Sequence, residues 1–164
     1  MRMNQNRFYT TSIFWFAVLF ILHFNSIFSQ TTFSSEDELK KEANRLYEEK
    51  EFSKAYPLFS QLLSVYSKDP QYNYKFGACL LYSSSDKEKA IPYLEYAAKR
   101  QQSGADKEVF FYLGRAYHLN YRFSDAIKQY NIYKTLVSAK GAEKYDVDRQ
   151  IEMCENGKKL LRNI

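Results

Sequence analysis

Glycine and proline are scarce in this 164-residue chain, which has five glycines and three prolines. A β-sandwich needs many turns, and turns draw heavily on both residue types. Tyrosine, in contrast, occurs 15 times, as expected of helices that carry half-buried amphipathic rings. The composition therefore predicts an all-α fold, and the length suits a single domain behind an N-terminal targeting segment.

Motifs that carry chemistry are also missing. The chain has no HExxH, GxSxG or CxxC pattern and no glycine-rich phosphate loop, and only two histidines, His23 and His118. Its many acidic residues are explained as solvated helix faces. We therefore predict that the protein is not an enzyme, and that it has no catalytic residues, no metal site, no cofactor and no small-molecule substrate.

Neither sign of charge dominates the chain. The chain has 24 basic and 19 acidic residues, and the two kinds are interspersed along the predicted helices. Nucleic-acid binding proteins instead concentrate basic residues on one face. The charge pattern predicts that nucleic acid is not a partner.

Residues 1–29 have the pattern of a signal peptide. Arg2 and Arg7 precede an apolar run at residues 13–22, and small or polar residues follow up to Ser29. The run is about half the roughly 20 residues that a membrane-spanning helix needs, so an uncleaved anchor is the weaker alternative. We predict cleavage after Ser29 or Gln30, a short leader over residues 30–35, and an exported protein.

A helix-turn-helix pattern occurs three times after the leader. In the last copy Gly114 and Ala126 are small residues where two helices meet, and Tyr117 and Tyr130 fill the space around them. The earlier copies have Gly77 with Ala90, and Ala43 with Ala55. The pattern predicts repeats over residues 36–70, 71–103 and 106–140 and a capping helix over residues 143–161, all within one domain at 36–164.

The two cysteines fall in different parts of this array. Cys79 lies in the first helix of the middle repeat and Cys154 in the capping helix. Packed helices are roughly 8–10 Å apart, whereas bridged Cα atoms lie within about 7 Å. We expect no disulfide between them, and two small buried hydrophobic side chains instead.

The three copies resemble the tetratricopeptide repeat, whose consensus has its small and aromatic residues at these positions. The resemblance implies a short right-handed α-solenoid that binds proteins or peptides on the concave wall made by its first helices. In this register, the predicted partner-binding residues are Asn44, Tyr47, Tyr74, Tyr82, Phe111, Arg115 and His118. An equally weighted alternative is that several of these rings pack between repeats.

One known variant of this wall, the carboxylate clamp for chaperone tails, is not formed. Lys40 and Asn44 match the clamp in the first repeat, but Ala78, Glu108 and Tyr112 stand at its other positions. Chaperone tails are therefore not the expected partner.

The chain also resembles the N-terminal module of a family of Bacteroidetes envelope proteins. The resemblance is carried by sequences such as YNYKFGACLL at residues 72–81 and DVDRQIEMCENGKKLL at residues 146–161. Those proteins continue into a β-propeller and an OmpA-like domain. The resemblance implies a periplasmic scaffold, associated with the outer membrane and part of a larger envelope assembly. It leaves two hypotheses: an exported adaptor for a protein or peptide of the envelope, or a structural spacer that is a fragment of a longer protein.

Overall fold

A computed structural model describes Phe33 and residues 35–100 and 106–163. The predicted signal peptide lies outside these residues. Residues from Ser35 onward form one compact unit. Over the described residues all regular secondary structure is helical, with no strand.

The described part of this unit contains eight α-helices, six of which pack as three consecutive pairs. The pairs are α1 with α2, α3 with α4, and α5 with α6, while α8 packs on α6. This confirms the predicted all-α repeat fold. In order, the helices are α1 Glu36–Glu48, α2 Phe52–Val65, α3 Pro70–Ser83, α4 Ile91–Lys99, α5 Glu108–Leu119, α6 Phe123–Leu136, α7 Ala139–Glu143 and α8 Val147–Arg162.

Side chains at helix starts explain where the first and third helices begin. The hydroxyl of Ser35 accepts a hydrogen bond from the amide of Glu38, at 3.3 Å, and three acids occupy the first turn of α1. Asp69 accepts bonds from the amides of Gln71 and Tyr72, and Pro70 follows it at the first helical position. These caps are local, so they can be predicted from sequence.

The small residues of the pattern stand where helices approach most closely. A Cβ added to Gly77 would lie 2.7 Å from Cγ of Leu94, and one added to Gly114 would lie 2.6 Å from the ring of Tyr130. Glycine is required at both positions because the partner side chain fills the space of a Cβ. The four alanines of the pattern, Ala43, Ala55, Ala90 and Ala126, are completely buried.

The second helix of the middle pair differs from its predicted form. A 3-10 turn at Lys87–Ala90 precedes α4, which begins only at Ile91. Pro92 therefore lies in the first turn of α4, where a missing amide N–H costs little.

The capping region also differs from the prediction of one helix starting at residue 143. The short helix α7 comes first, and Asp146 then adopts a left-handed backbone conformation with φ 48°. The helix α7 already ends at Glu143, and the left-handed Asp146 is the N-cap residue that redirects the chain before α8 begins at Val147. The prediction of the helix start was wrong because nothing in the residue pattern marks a left-handed aspartate.

Gly157 lies inside α8 and does not end the helix early. A Cβ at this position would lie 2.5 Å from Cζ of Phe123, the first residue of α6. The glycine thus allows α8 to cover the end of the array. Cys79 and Cys154 are both free and completely buried, in agreement with the prediction.

No helix within the described residues combines the length and the apolar character that crossing a membrane would require.

Candidate partner-binding wall

Hydrogen bonds join the neighbouring first helices side by side. The hydroxyl of Tyr47 on α1 donates to that of Tyr74 on α3, at 2.9 Å, and Lys75 Nζ donates to Asn44 Oδ1, at 2.6 Å. Arg115 Nη1 on α5 donates to Gln150 Oε1 on α8, at 2.9 Å. We call the surface made by α1, α3, α5 and the start of α8 the first-helix wall.

Three of the seven predicted wall residues are buried rings. Tyr47 is 3% exposed, Tyr74 4% and Phe111 5%. Tyr47 meets Tyr74 edge to face, with ring centroids 6.0 Å apart, and Phe111 stacks on Tyr145 at 4.1 Å. For these three residues the structure has the alternative arrangement, in which rings pack between repeats and hold the helices together.

Tyr82 is different, because 47% of it is exposed. One face of its ring stacks on Phe52 at a centroid distance of 4.5 Å, and its edge meets Tyr112 at 6.3 Å. These contacts hold the ring in place while leaving much of it open to solvent. Of the tyrosine and phenylalanine rings predicted for the wall, only Tyr82 has a large area open to a partner.

Asn44 is half-buried and its amide is already engaged. Its Nδ2 donates to the backbone oxygen of Lys40, at 2.8 Å, while its oxygen accepts from Lys75. Asn44 therefore links the first two repeats.

Arg115 and His118 lie one turn apart on α5, and both are half-buried. Nδ1 of His118 is 3.4 Å from the hydroxyl of Tyr130. Burial, and secondly the nearby charge of Arg115, lower the pKa of His118. The imidazole is therefore neutral at pH 7, and Arg115 is the positive charge of this part of the wall.

Two contributors to the wall were missed in the sequence. Tyr145 stacks on Phe111 and also meets Tyr112 edge to face, at 6.2 Å, while Gln150 binds Arg115. Both belong to the region that caps the array, which the repeat pattern does not describe. The start of α8 thus extends the wall as the first helix of a further repeat would.

A small cleft of about 100 Å³ opens on the wall. Small-molecule sites usually have volumes of roughly 300–1,000 Å³, so this cleft is small for one. Its lining is formed by Tyr47, Glu48, Lys50, Tyr74, Asp106, Glu108, Tyr112, Lys144 and Tyr145. Within the described part of the chain, no three or more His, Cys, Asp or Glu side chains are grouped so that they could hold a metal ion.

No family model matches the chain, and a search of curated proteins finds no match. Solved structures do match. The Sgt2 TPR domain from Aspergillus fumigatus is 24% identical, with a TM-score of 0.61, over 83% of this chain and 87% of that one.

Two structures of a type III secretion chaperone from Yersinia enterocolitica, SycD, are also similar. SycD in complex with a peptide of the translocator YopD is 18% identical, with a TM-score of 0.57, over 83% of this chain and 100% of that one. The other SycD structure is 17% identical, with a TM-score of 0.58, over 85% of this chain and 93% of that one. At these identities the likeness concerns the fold, and the chain has the fold of tetratricopeptide repeat domains.

Proposed function

We propose that this protein is a non-catalytic adaptor of the bacterial cell envelope that binds a peptide or helix of another envelope protein on its first-helix wall. The observation that carries the proposal is the open ring of Tyr82 beside Arg115. Repeat domains of this fold are typically scaffolds for protein interaction, and the similar SycD structure holds a peptide of YopD.

Tyr82 and Arg115 together have the properties of an interaction hot spot. Tyrosine and arginine are the residue types that contribute most to protein interfaces, through large contact area and directed donors. The ring of Tyr82 is held by stacking on Phe52, and Arg115 is held by Gln150. Little side-chain entropy is therefore lost when a partner binds, which favours affinity.

Replacing Tyr82 and Arg115 together by alanine is expected to abolish capture of the partner. Truncation of one strong anchor costs roughly 1–4 kcal/mol of binding free energy, so the loss of both should weaken binding below what a pull-down can detect. The measurement is a pull-down from envelope extract with wild-type and doubly substituted protein. Circular dichroism should show the same helical content for both, since neither side chain is fully buried.

A matched control is Tyr121→Ala with Arg149→Ala, which removes the same residue types from highly exposed positions. Tyr121 is 73% exposed, and the side chain of Arg149 is 72% exposed. Capture should survive in this control. Recovery of the same proteins by wild type and by the Tyr82/Arg115 variant would favour the spacer hypothesis instead, for which the buried rings of Tyr47, Tyr74 and Phe111 already serve as inter-repeat packing.

The envelope location rests on residues 1–29 of the sequence and on the resemblance of the repeats to Bacteroidetes envelope modules. In this proposal the protein is periplasmic and associated with the outer membrane. Its proposed place is within a larger envelope assembly.

Cleavage of the signal is expected to leave Gln30, or a residue next to it, at the N-terminus of the exported protein. Sequencing of the N-terminus after export measures this. Because Trp15 is the only tryptophan, the exported form should also show no tryptophan fluorescence. A membrane fraction that retains residues 1–29 uncut would contradict the proposed signal.

A further inference from the structure

Among the described residues, the guanidinium of Arg115 has a neutral hydrogen-bond partner. It donates to Gln150 Oε1, and its charge acts on the phenols of Tyr82 and Tyr130. Burial raises the pKa of both phenols, and Arg115 acts in the opposite direction. No carboxylate of the described residues lies within 4.0 Å of Arg115, whereas Arg45 has two, and Arg122 and Arg149 have one each.

One acid of α8, Glu155, already pairs with a lysine. The charge of Glu155 on α8 acts on the thiol of Cys154, which Arg115 also influences, but its carboxylate pairs with Lys158 at 3.4 Å. His118 cannot compensate the charge of Arg115, because an imidazole is either neutral or positive. Arg115 is thus half-buried without a carboxylate of the described residues in direct contact.

A half-buried cation without a counter-charge is costly, and an incoming anion reduces that cost. Guanidinium groups fit carboxylates especially well, because two parallel N–H groups can donate to the two carboxylate oxygens. The adjoining ring of Tyr82 offers an apolar surface to the methylene groups of a partner's acidic side chain, or to an apolar residue next to that acid in the partner. Arginine, tyrosine and glutamine together therefore suit an acidic side chain flanked by apolar residues.

The position of Arg115 favours an internal acid over a chain end. It lies on α5, between Tyr82 on α3 and Gln150 on α8, so the wall continues on both sides of it. A peptide that spans the whole wall would meet Arg115 with an internal side chain.

We propose that the partner of the first-helix wall carries an internal glutamate or aspartate whose carboxylate binds Arg115, with its flanking apolar group on the ring of Tyr82. This inference rests on the proposed adaptor function. It differs from the carboxylate clamp, whose third-repeat positions are here Glu108 and Tyr112.

The imidazole of His118 reports on this site directly. In the exported form, which the proposed cleavage leaves without residues 1–29, His118 is the only histidine, so its signals need no separate assignment. The probe is glutamate blocked as N-acetyl and N-methylamide, which keeps one carboxylate, and blocked glutamine is its neutral match. Nuclear magnetic resonance should show a saturable shift of the His118 titration to higher pH with the glutamate probe, because a bound anion favours the imidazolium.

Blocked glutamine, or sodium chloride at equal ionic strength, should leave the midpoint of the His118 titration unchanged. Arg115→Gln should remove the saturable shift, and Arg115→Lys, which keeps the charge without the planar fork, should raise the saturating concentration several-fold. A shift that persists unchanged in Arg115→Gln, no shift in wild type, or saturation by inorganic phosphate at lower concentration would each overturn the assignment. Circular dichroism checks that both variants remain folded.

The pull-down separates this inference from the adaptor function. Loss of capture in both Tyr82→Ala and Arg115→Gln supports the two together. Loss in Tyr82→Ala with full capture in Arg115→Gln retains the adaptor and overturns the carboxylate contact.

Discussion

Gly114→Leu is expected to destabilise the protein severely. Even a Cβ at this position would lie 2.6 Å from two ring atoms of Tyr130, and Tyr130 is completely buried. The ring has no space to withdraw into, since it packs against Phe111 and His118. Overpacking of a filled core costs roughly 1–3 kcal/mol or more, against a total stability of about 5–15 kcal/mol.

Thermal melts followed by circular dichroism measure this effect. A domain of this size loses about 2–8 °C in melting temperature for each kcal/mol. Ala139→Leu is the matched control, because it adds the same side chain at an exposed position at the start of α7. If Gly114→Leu melted at the wild-type temperature, the close crossing of α5 and α6 would be disproved.

Raising the pH above about 10 is expected to unfold the protein cooperatively. Burial raises the pKa of several phenols that are nearly inaccessible to solvent, including Tyr133, whose pKa is raised to about 12. A tyrosine in the unfolded chain ionises near pH 10. The set comprises Tyr47, Tyr74, Tyr112, Tyr130 and Tyr133.

The direction of the effect follows from proton linkage. Because the folded pKa exceeds the unfolded one, these phenols contribute fully below about pH 10, and the contribution is lost as the pH rises toward the folded pKa. Each buried phenol lowers the free energy of unfolding by up to about 1.4 kcal/mol per pH unit, so the five together lower it by up to roughly 7 kcal/mol per unit. That is comparable with the whole stability of a domain. The buried thiols of Cys79 and Cys154, with pKa values raised to about 12 and about 11, act in the same direction.

The measurement combines helical circular dichroism with phenolate absorbance as the pH is raised. The phenolate signal of the five buried rings should appear in one steep step, between about pH 10 and 12, that coincides with the loss of helical signal. Tyr112→Phe, which removes one ionisable ring, should make stability fall less steeply with pH, while Tyr121→Phe at an exposed ring should not. Complete phenolate formation, including the five buried rings, near pH 10 with intact helices would show that those rings are open to solvent.

Much of the fold could be predicted because its determinants are local. Small residues at Gly77 and Gly114 recur with aromatic or leucine partners at helical spacing, and Ser35 and Asp69 cap helices through their own next turn. The left-handed backbone of Asp146 and the 3-10 turn before Ile91 were not predictable in this way. Both arise where the chain must meet a neighbouring helix, and no local spacing encodes that requirement.

The wall shows the same division at the level of single side chains. Sequence alone determined that Tyr47, Tyr74 and Tyr82 lie on first helices, because the repeat pattern sets their register. Only the tertiary structure decided that Tyr47 is enclosed by Tyr74, Phe52 and Phe59, while Tyr82 remains 47% exposed. Helical periodicity determines the direction in which a side chain leaves its own helix, whereas its burial depends on how closely the next helix and its rings approach from elsewhere in the chain.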